Sequence, residues 1–249
     1  MASALFGGMI AQGWEPNRIT VADPNTAALD AAGEQGVNTC DDNRQAVADA
    51  AVVVLAVKPQ LLKRVLRDLA PALRRHKPLL ISIAAGIDLT ALQRWAGDGV
   101  PIVRCMPNTP ALVQTGATAM FAGIGVSDTH KVASEKVLGA VGITLWLEHE
   151  DQLDAVTAVS GSGPAYFFLV MEAMTAAGQE LGLPLEAASR LTLQTALGAA
   201  RMAQDSDVDV RELRRRVTSP GGTTEQAIAQ FEEGGLASLF TSAMERCAA

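Results

Sequence analysis

From Ile19 onward the chain alternates short β-branched and aliphatic runs with longer stretches of helical pattern, and this alternation narrows the fold more than any other feature. The runs are ITVA (Ile19 to Ala22), AVVVLAV (Ala51 to Val57), LLISI (Leu79 to Ile83), PIVRC (Pro101 to Cys105) and TLWL (Thr144 to Leu147). A run that is apolar at successive positions has to be covered on both faces. Intervals long enough for a crossover helix supply that cover, so these runs predict parallel strands. The expected class is α/β, a doubly wound parallel sheet.

After Glu150 the strand signals stop. DQLDAVTAVS, AYFFLVMEAMTAAGQELG and LEAASRLTLQTALGAARMAQ read as helices, punctuated by Gly161-Ser162-Gly163-Pro164, Leu183-Pro184 and the Asp-rich turn Asp205 to Asp209. The chain therefore divides into an α/β dinucleotide-binding domain over 1–149 and an all-helical domain over 150–249. The helix from Ala165 to Leu181 is apolar on nearly every side, through Tyr166, Phe167, Phe168, Leu169, Val170, Met171 and Met174. Such a helix must be buried all round. Either a partner subunit covers it or it forms the centre of a monomeric bundle.

Composition removes several function classes. Lys+Arg 20 against Asp+Glu 27 gives a net charge of −7, so no excess of cations is available to neutralise phosphates and nucleic acid is not an expected partner. Cys40, Cys105 and Cys247 lie far apart with no paired spacing, and His76, His130 and His149 have no second ligand at metal spacing. No disulfide framework and no metal site are expected, and a reducing cytoplasm fits. The longest uncharged run, Cys105 to Ser127, is broken by Pro107 and Pro110, so neither a membrane segment nor a leader is expected.

The opening MASALFGGMIAQG reads as a helix, with Ala4, Leu5, Gly8 and Met9 on one face and Gly13 at its end. ITVADPN then follows as the strand that is ordinarily second in a dinucleotide-binding domain, with Asp23 at its carboxyl end, where a ribose hydroxyl is often held. The expectation is that the chain enters the fold one strand late, without the Gly-rich turn that brings pyrophosphate to a helix N-terminus.

Several short motifs allow both a functional and a purely structural use. AVKPQ (Ala56 to Gln60) ends a strand at the edge where open α/β sheets bind ligands, and equally reads as a strand end with a solvated lysine. SIAAGI (Ser82 to Ile87) offers small residues that let a flat ring approach the backbone, or a tight packing turn. MPNTP (Met106 to Pro110) is a rigid turn. SGSGPAY (Ser160 to Tyr166) puts small residues and hydroxyls before a helix N-terminus, which favours an anion or simply caps the helix. In TSPGGTTE (Thr218 to Glu225), Gly221 and Gly222 let successive N–H groups converge, while Thr223 and Thr224 add hydroxyls. That combination suits a small carboxylate, and the same letters suit a helix-capping box. Glu150 and Asp151 read as a charged surface run, or as part of a ligand cleft at a domain junction.

Taken together and in this order, AVKPQ, SIAAGI, RCMPNTP, LDAVTAVSGSGPAYFF and VTSPGGTTEQAI resemble the Δ1-pyrroline-5-carboxylate reductase family. The resemblance implies a Rossmann-type N-terminal domain, an all-helical dimerisation domain, a homodimer, and a decamer of dimers as the higher assembly. It implies NADPH or NADH at Asp23, Asn43, Ala56, Val57, Lys58, Pro59, Ile83, Ala84, Ala85 and Arg216. The substrate, a cyclic imino acid, is then expected at Glu150, Ser219, Gly221, Gly222, Thr223 and Thr224, with Thr224 orienting the ring nitrogen as the catalytic residue. The departures are at the ends, where the family's first strand with its Gly-x-Gly-x-x turn, and its last helical residues, have no counterpart. Two rival readings are a dehydrogenase of a small hydroxy acid and a nucleotide-responsive binding protein without turnover. The first should carry a catalytic lysine in its helical half, and no lysine follows Glu150.

Overall fold

Every apolar run becomes a strand within a residue or two of the expected limits. The strands are β1 (Thr20–Ala22), β2 (Asn38–Cys40), β3 (Val52–Leu55), β4 (Leu79–Ser82), β5 (Ile102–Met106), β6 (Gly116–Ala122) and β7 (Gly142–Trp146) in a computed structural model that describes residues 1–248. β3 to β7 form one sheet in sequence order, and β1 pairs with β2 in a separate parallel ribbon.

The sheet is not wholly parallel as expected. β3, β4 and β5 run parallel, whereas β6 returns antiparallel to β5, with Arg104 opposite Phe121, and β7 lies parallel to β6. The reason is loop length. Between Met106 and Gly116 a 3-10 turn, Thr109–Val113, folds the chain back, and a parallel return would need a crossover of about a dozen residues or more. β6 was hidden in the Pro- and Gly-bearing uncharged run, and β2 is the polar triplet NTC with no apolar signal.

Helices cover both faces of the larger sheet. On one, α1 (Ala2–Ala11) and α6 (Asp128–Leu138) place Leu5, Met9, Val137 and Leu138 against Leu79, Ile81, Val103, Cys105 and Met120. α1 buries Leu5, Phe6, Gly8 and Met9, while Ala4 of the expected face stays half-buried. A Cβ on Gly8 would lie 2.6 Å from the Ala140 carbonyl oxygen, so only glycine permits this approach. Burial among these side chains pushes the Cys105 thiol well above its ordinary range.

On the other face, α4 (Pro59–His76) presents Leu62, Leu66, Leu69 and Leu73 as one stripe, and α5 (Leu89–Ala96) adds Leu92 and Ala96. The spacing of three and four residues puts these leucines on a single side of the helix. Asn25 caps α2 (Thr26–Gly33), Asp42 caps α3 (Asn43–Val47), and Asp88 caps α5 through the Ala91 N–H.

The first compact unit runs Met1–Gly161 and the second begins at Ser162. α7 (Gln152–Val156) and a π-helical turn, Thr157–Gly161, therefore belong to the first unit, with Leu153 and Ala158 buried. The sequence boundary at 149/150 marks the end of the strand signals; the compact unit ends later because Leu153 and Ala158 anchor the next two turns.

The second unit holds α8 (Gly163–Glu180), α9 (Leu185–Gln204), α10 (Val210–Arg216), α11 (Thr223–Glu233) and α12 (Leu236–Ala248). α8 packs on α9, where Gly178 faces Ala188, and Tyr166 meets Phe240 edge to face. The expectation of an α8 buried all round is not met within one chain: Phe167, Phe168 and Leu169 are 67%, 63% and 65% exposed. That exposure rules against the centre of a monomeric bundle and leaves a large apolar surface to be covered from outside. By length and composition the stretch Gln152–Glu180 is apolar enough to cross a membrane, a property that core helices of soluble proteins share.

Candidate functional site

In the second unit the TSPGGTTE segment forms a tight turn into α11. Gly221 takes φ +74°, a left-handed conformation that favours glycine. Its N–H donates to the Glu225 carboxylate at 2.7 Å, and the Gly222 N–H donates to the Ser219 carbonyl at 3.0 Å. Gly222 is the N-cap of α11 and supplies no side chain, so Thr223, Thr224 and Glu225 open the helix with their N–H groups uncapped by any side chain. The capping-box alternative is not realised: Glu225 reaches back to the Gly221 N–H, one residue before the N-cap Gly222, and no threonine hydroxyl caps the helix. Thr223 and Thr224 are exposed. Hydroxyls, free N–H groups and the positive end of a helix of three turns thus converge, an arrangement that suits a small anion without a lysine or arginine.

The basic triplet before this turn is already paired. Arg214 bonds Glu232 at 3.0 Å, while Arg215 and Arg216 share Glu212 at 2.6 Å and 2.9 Å. Hydrogen bonds from the two guanidinium groups hold the Glu212 carboxyl down to about 2, so it is ionised at any ordinary assay pH. Arg216 engages Glu212 through Nε.

In the first unit the expected cofactor residues gather at strand ends. Ala56 to Pro59 follow β3, with Lys58 exposed at the N-cap of α4 and Pro59 as its first residue. Ile83, Ala84 and Ala85 follow β4; Ala85 is exposed, and Gly86 beside it has φ +71° with open space where a Cβ would stand. Asp23 follows β1 and accepts the Asn25 N–H at 2.8 Å through Oδ1. Asn43 is the first residue of α3 and half-buried. Next to it Arg44 is tied to Asp68 through both Nε, at 3.2 Å, and Nη2. Small side chains, open backbone and a carboxylate at strand termini fit a nicotinamide dinucleotide.

Glu150 is held by residues at and after the ends of β4 and β5. Its Oε1 accepts the Arg104 Nη1 at 2.9 Å and the Leu89 N–H at 2.7 Å. Arg104 is a buried cation, its side chain 10% exposed. Both line an open, acidic cavity of about 540 Å³ with Asp88, Phe121, Glu148 and Asp154. Sequence reasoning named Glu150 but missed Arg104, although an arginine inside the run PIVRC was the available signal: a cation in a buried strand needs a counter-charge. The sequence also reads Asn108 as satisfying its own backbone within a rigid turn, whereas its carboxamide reaches two distant segments. Asn108 bonds the Ser160 carbonyl and the Ala117 N–H, which joins MPNTP to SGSGPAY. Among the described residues no group of His, Cys, Asp and Glu is arranged for a metal.

Comparison with known proteins agrees with this architecture. The family model described as pyrroline-5-carboxylate reductase dimerisation matches residues 150–249, and that of NADP oxidoreductase, coenzyme F420-dependent, matches residues 1–86. A pyrroline-5-carboxylate reductase of Pseudomonas aeruginosa is 54% identical over 98% of this chain and 89% of its own length. The structure of a pyrroline-5-carboxylate reductase from Coxiella burnetii superposes with TM-score 0.96 at 47% identity, covering 99% of this chain and 92% of that one. The Plasmodium falciparum pyrroline carboxylate reductase, solved with NADP bound, gives TM-score 0.87 at 30% identity, with 99% and 91% covered. With near-complete coverage and identities this far above the level that shows fold alone, the chain belongs to the pyrroline-5-carboxylate reductase family.

Proposed function

We propose that this chain is an NAD(P)H-dependent pyrroline-5-carboxylate reductase, which adds hydride to the C=N carbon of 1-pyrroline-5-carboxylate and forms L-proline, the last step of proline biosynthesis. The observation that carries the reading is the start of α11, where donors for a small carboxylate converge without a cation. The reduced nicotinamide supplies the hydride from its C4. The Thr223 and Thr224 N–H groups bind the substrate carboxylate, with Ser219, Gly221 and Gly222 shaping the turn. The Thr224 hydroxyl accepts a hydrogen bond from the ring nitrogen of the protonated imine and orients the ring. A substrate that arrives protonated needs no general acid from the protein. Glu150 can touch substrate only through Oε2, because Oε1 is filled.

In the first unit Asp23, Asn43, Ala56 to Pro59 and Ile83 to Ala85 would hold the cofactor, and Arg216 of the second unit is the further residue assigned to it. The apolar surface of α8 and α9 belongs to a homodimer contact, with a decamer as the higher assembly. The enzyme works in the cytoplasm, with no nucleic-acid or membrane partner. The direct test is to incubate the purified chain with pyrroline-5-carboxylate and NADPH, follow absorbance at the reduced nicotinamide band, and identify proline by mass. Cofactor binding without proline formation would replace this reading with that of a nucleotide-binding protein.

Cofactor choice turns on Asp23. A carboxylate suits a ribose diol and repels a 2′-phosphate, and Arg44, the adjacent cation, is committed to Asp68. Removing one repulsion of about 1–2 kcal/mol is worth roughly 5- to 30-fold. Asp23→Ser is therefore expected to raise the NADPH over NADH ratio of kcat/KM by that factor; an unchanged ratio would mean that the side chain faces away from the cofactor.

A further inference from the structure

We propose that Asn108 is a positioning residue for hydride transfer: its carboxamide locks the π turn Thr157–Gly161 to the start of β6 and so fixes the last turn of the first unit. The inference rests on the reductase reading above. Asn108 Nδ2 donates to the Ser160 carbonyl at 3.0 Å, and Oδ1 accepts the Ala117 N–H at 2.8 Å. One end must donate and the other accept, which an amide side chain does and a carboxylate or an aliphatic group of similar size does not. The anchor is rigid, because a Cβ on neighbouring Gly116 would fall 2.9 Å from the Val141 carbonyl oxygen and 3.0 Å from the Ala111 nitrogen.

The clamped turn would not hold by itself. A π turn carries one residue more than an α turn and leaves its carbonyls poorly served, which is why such turns are short, rare and often found at functional sites. Side chains of the turn tie it back to α7: the Thr157 hydroxyl donates to the Leu153 carbonyl at 2.9 Å and the Ser160 hydroxyl to the Val156 carbonyl at 3.2 Å. The Ser160 carbonyl receives Asn108. Gly161 lies against Met106, whose Cε would be 2.6 Å from a Cβ there. Two motifs whose use was open in the sequence are thus one device.

Its position gives it a role beyond stability. MPNTP follows β5, parallel to β4, so the clamp sits at the sheet edge that carries Ile83 to Ala85. The residues proposed for cofactor lie mainly in the first unit and those proposed for the substrate carboxylate in the second, and Gly161–Ser162 is the covalent link between the units. If the π turn relaxes to α geometry, Ser160 and Gly161 shift register by one residue, about 100° of rotation and 1.5 Å of rise, beside the strand ends of the first unit that carry the proposed cofactor residues. Hydride transfer needs its reacting atoms held near 3–3.5 Å, and a misplacement of about 1 Å costs on the order of 100-fold.

The test compares Asn108→Leu and Asn108→Asp with the unaltered protein. Asn108→Leu should lower kcat 10- to 100-fold while the NADPH Kd, read by fluorescence, stays within about twofold. Asn108→Asp should be impaired at high pH, where a carboxylate faces the Ser160 carbonyl. It should recover, relative to the unaltered protein at each pH, as the acid becomes protonated and can donate again. Loss of packing alone predicts no such recovery. A folded Asn108→Leu with kcat within twofold of normal overturns the proposal, as does an Asn108→Asp ratio that is flat with pH. If Asn108→Leu does not fold, the pH series decides. An unaltered chain that binds NADPH but makes no proline defeats the reductase reading instead. The clamp is then judged by amide hydrogen exchange over residues 157–163, which Asn108→Leu must accelerate at least tenfold if the carboxamide holds the turn and leave unchanged if it does not.

Discussion

Thr224→Ala is expected to lower kcat/KM for the imino acid about 10- to 150-fold while leaving the NADPH Kd within about twofold. The hydroxyl removed is one hydrogen bond to a charged group, worth about 1.5–3 kcal/mol, and that range sets the factor. The structure sharpens the expectation in two ways. Thr224 is exposed in the first turn of α11 and its hydroxyl has no hydrogen-bond partner among the described residues, so its removal breaks no internal bond. The reach-back contact belongs to Glu225, which bonds the Gly221 N–H. A capping role therefore predicts a thermal defect for Glu225→Ala and almost none for Thr224→Ala. Melting curves, NADPH titration and steady-state kinetics on both variants separate the two uses of the turn. If Thr224→Ala left kcat/KM intact while Glu225→Ala lowered the melting temperature, the turn would be a helix start and nothing more.

How much of this was legible beforehand depended on how strongly each residue was constrained locally. The strands built from AVVVLAV, LLISI and PIVRC are plain because they are covered on both faces and so are apolar at nearly every position, Ser82 and Arg104 excepted. β6 is not, since its direction is set by the length of the loop before it, and β2, Asn-Thr-Cys, carries no aliphatic or aromatic residue. α8 was recognised as needing cover on every side, and its exposure in the single chain agrees with a match to a dimerisation family model. The site split in the same way. TSPGGTTE is a contiguous segment whose backbone chemistry is written in its letters. The Arg104–Glu150 pair and the Asn108–Ser160 bond join residues 46 and 52 positions apart. No local pattern contains such pairs; only the buried arginine in PIVRC and the twin glycines of SGSG marked that something had to meet them.

The largest stability effect is expected at that arginine. Arg104 is 8% exposed, it lies mid-strand in β5, and its salt bridge is to Glu150, itself partly buried and also held by the Leu89 N–H. Breaking a buried pair from one side costs about 3–5 kcal/mol because the remaining charge is left desolvated. Glu150 keeps some solvent, its side chain being 27% exposed, so Arg104→Met should sit at the lower end, about 3 kcal/mol. For a chain of this size each kcal/mol moves the midpoint by about 2–4 °C, giving a Tm lower by roughly 6–12 °C. Glu150→Gln should cost less than Glu150→Ala, because the amide oxygen can still accept from both Arg104 and Leu89. The double variant Arg104→Met, Glu150→Gln removes both charges and should recover much of the loss, a coupling that a double-mutant cycle measures at one fixed protein concentration, since subunit association also shifts Tm. A Tm for Arg104→Met within 2 °C of the unaltered protein would contradict the structural role. The cavity beside Arg104 would then be the reason for an arginine there, and the same variant should show it as a raised KM.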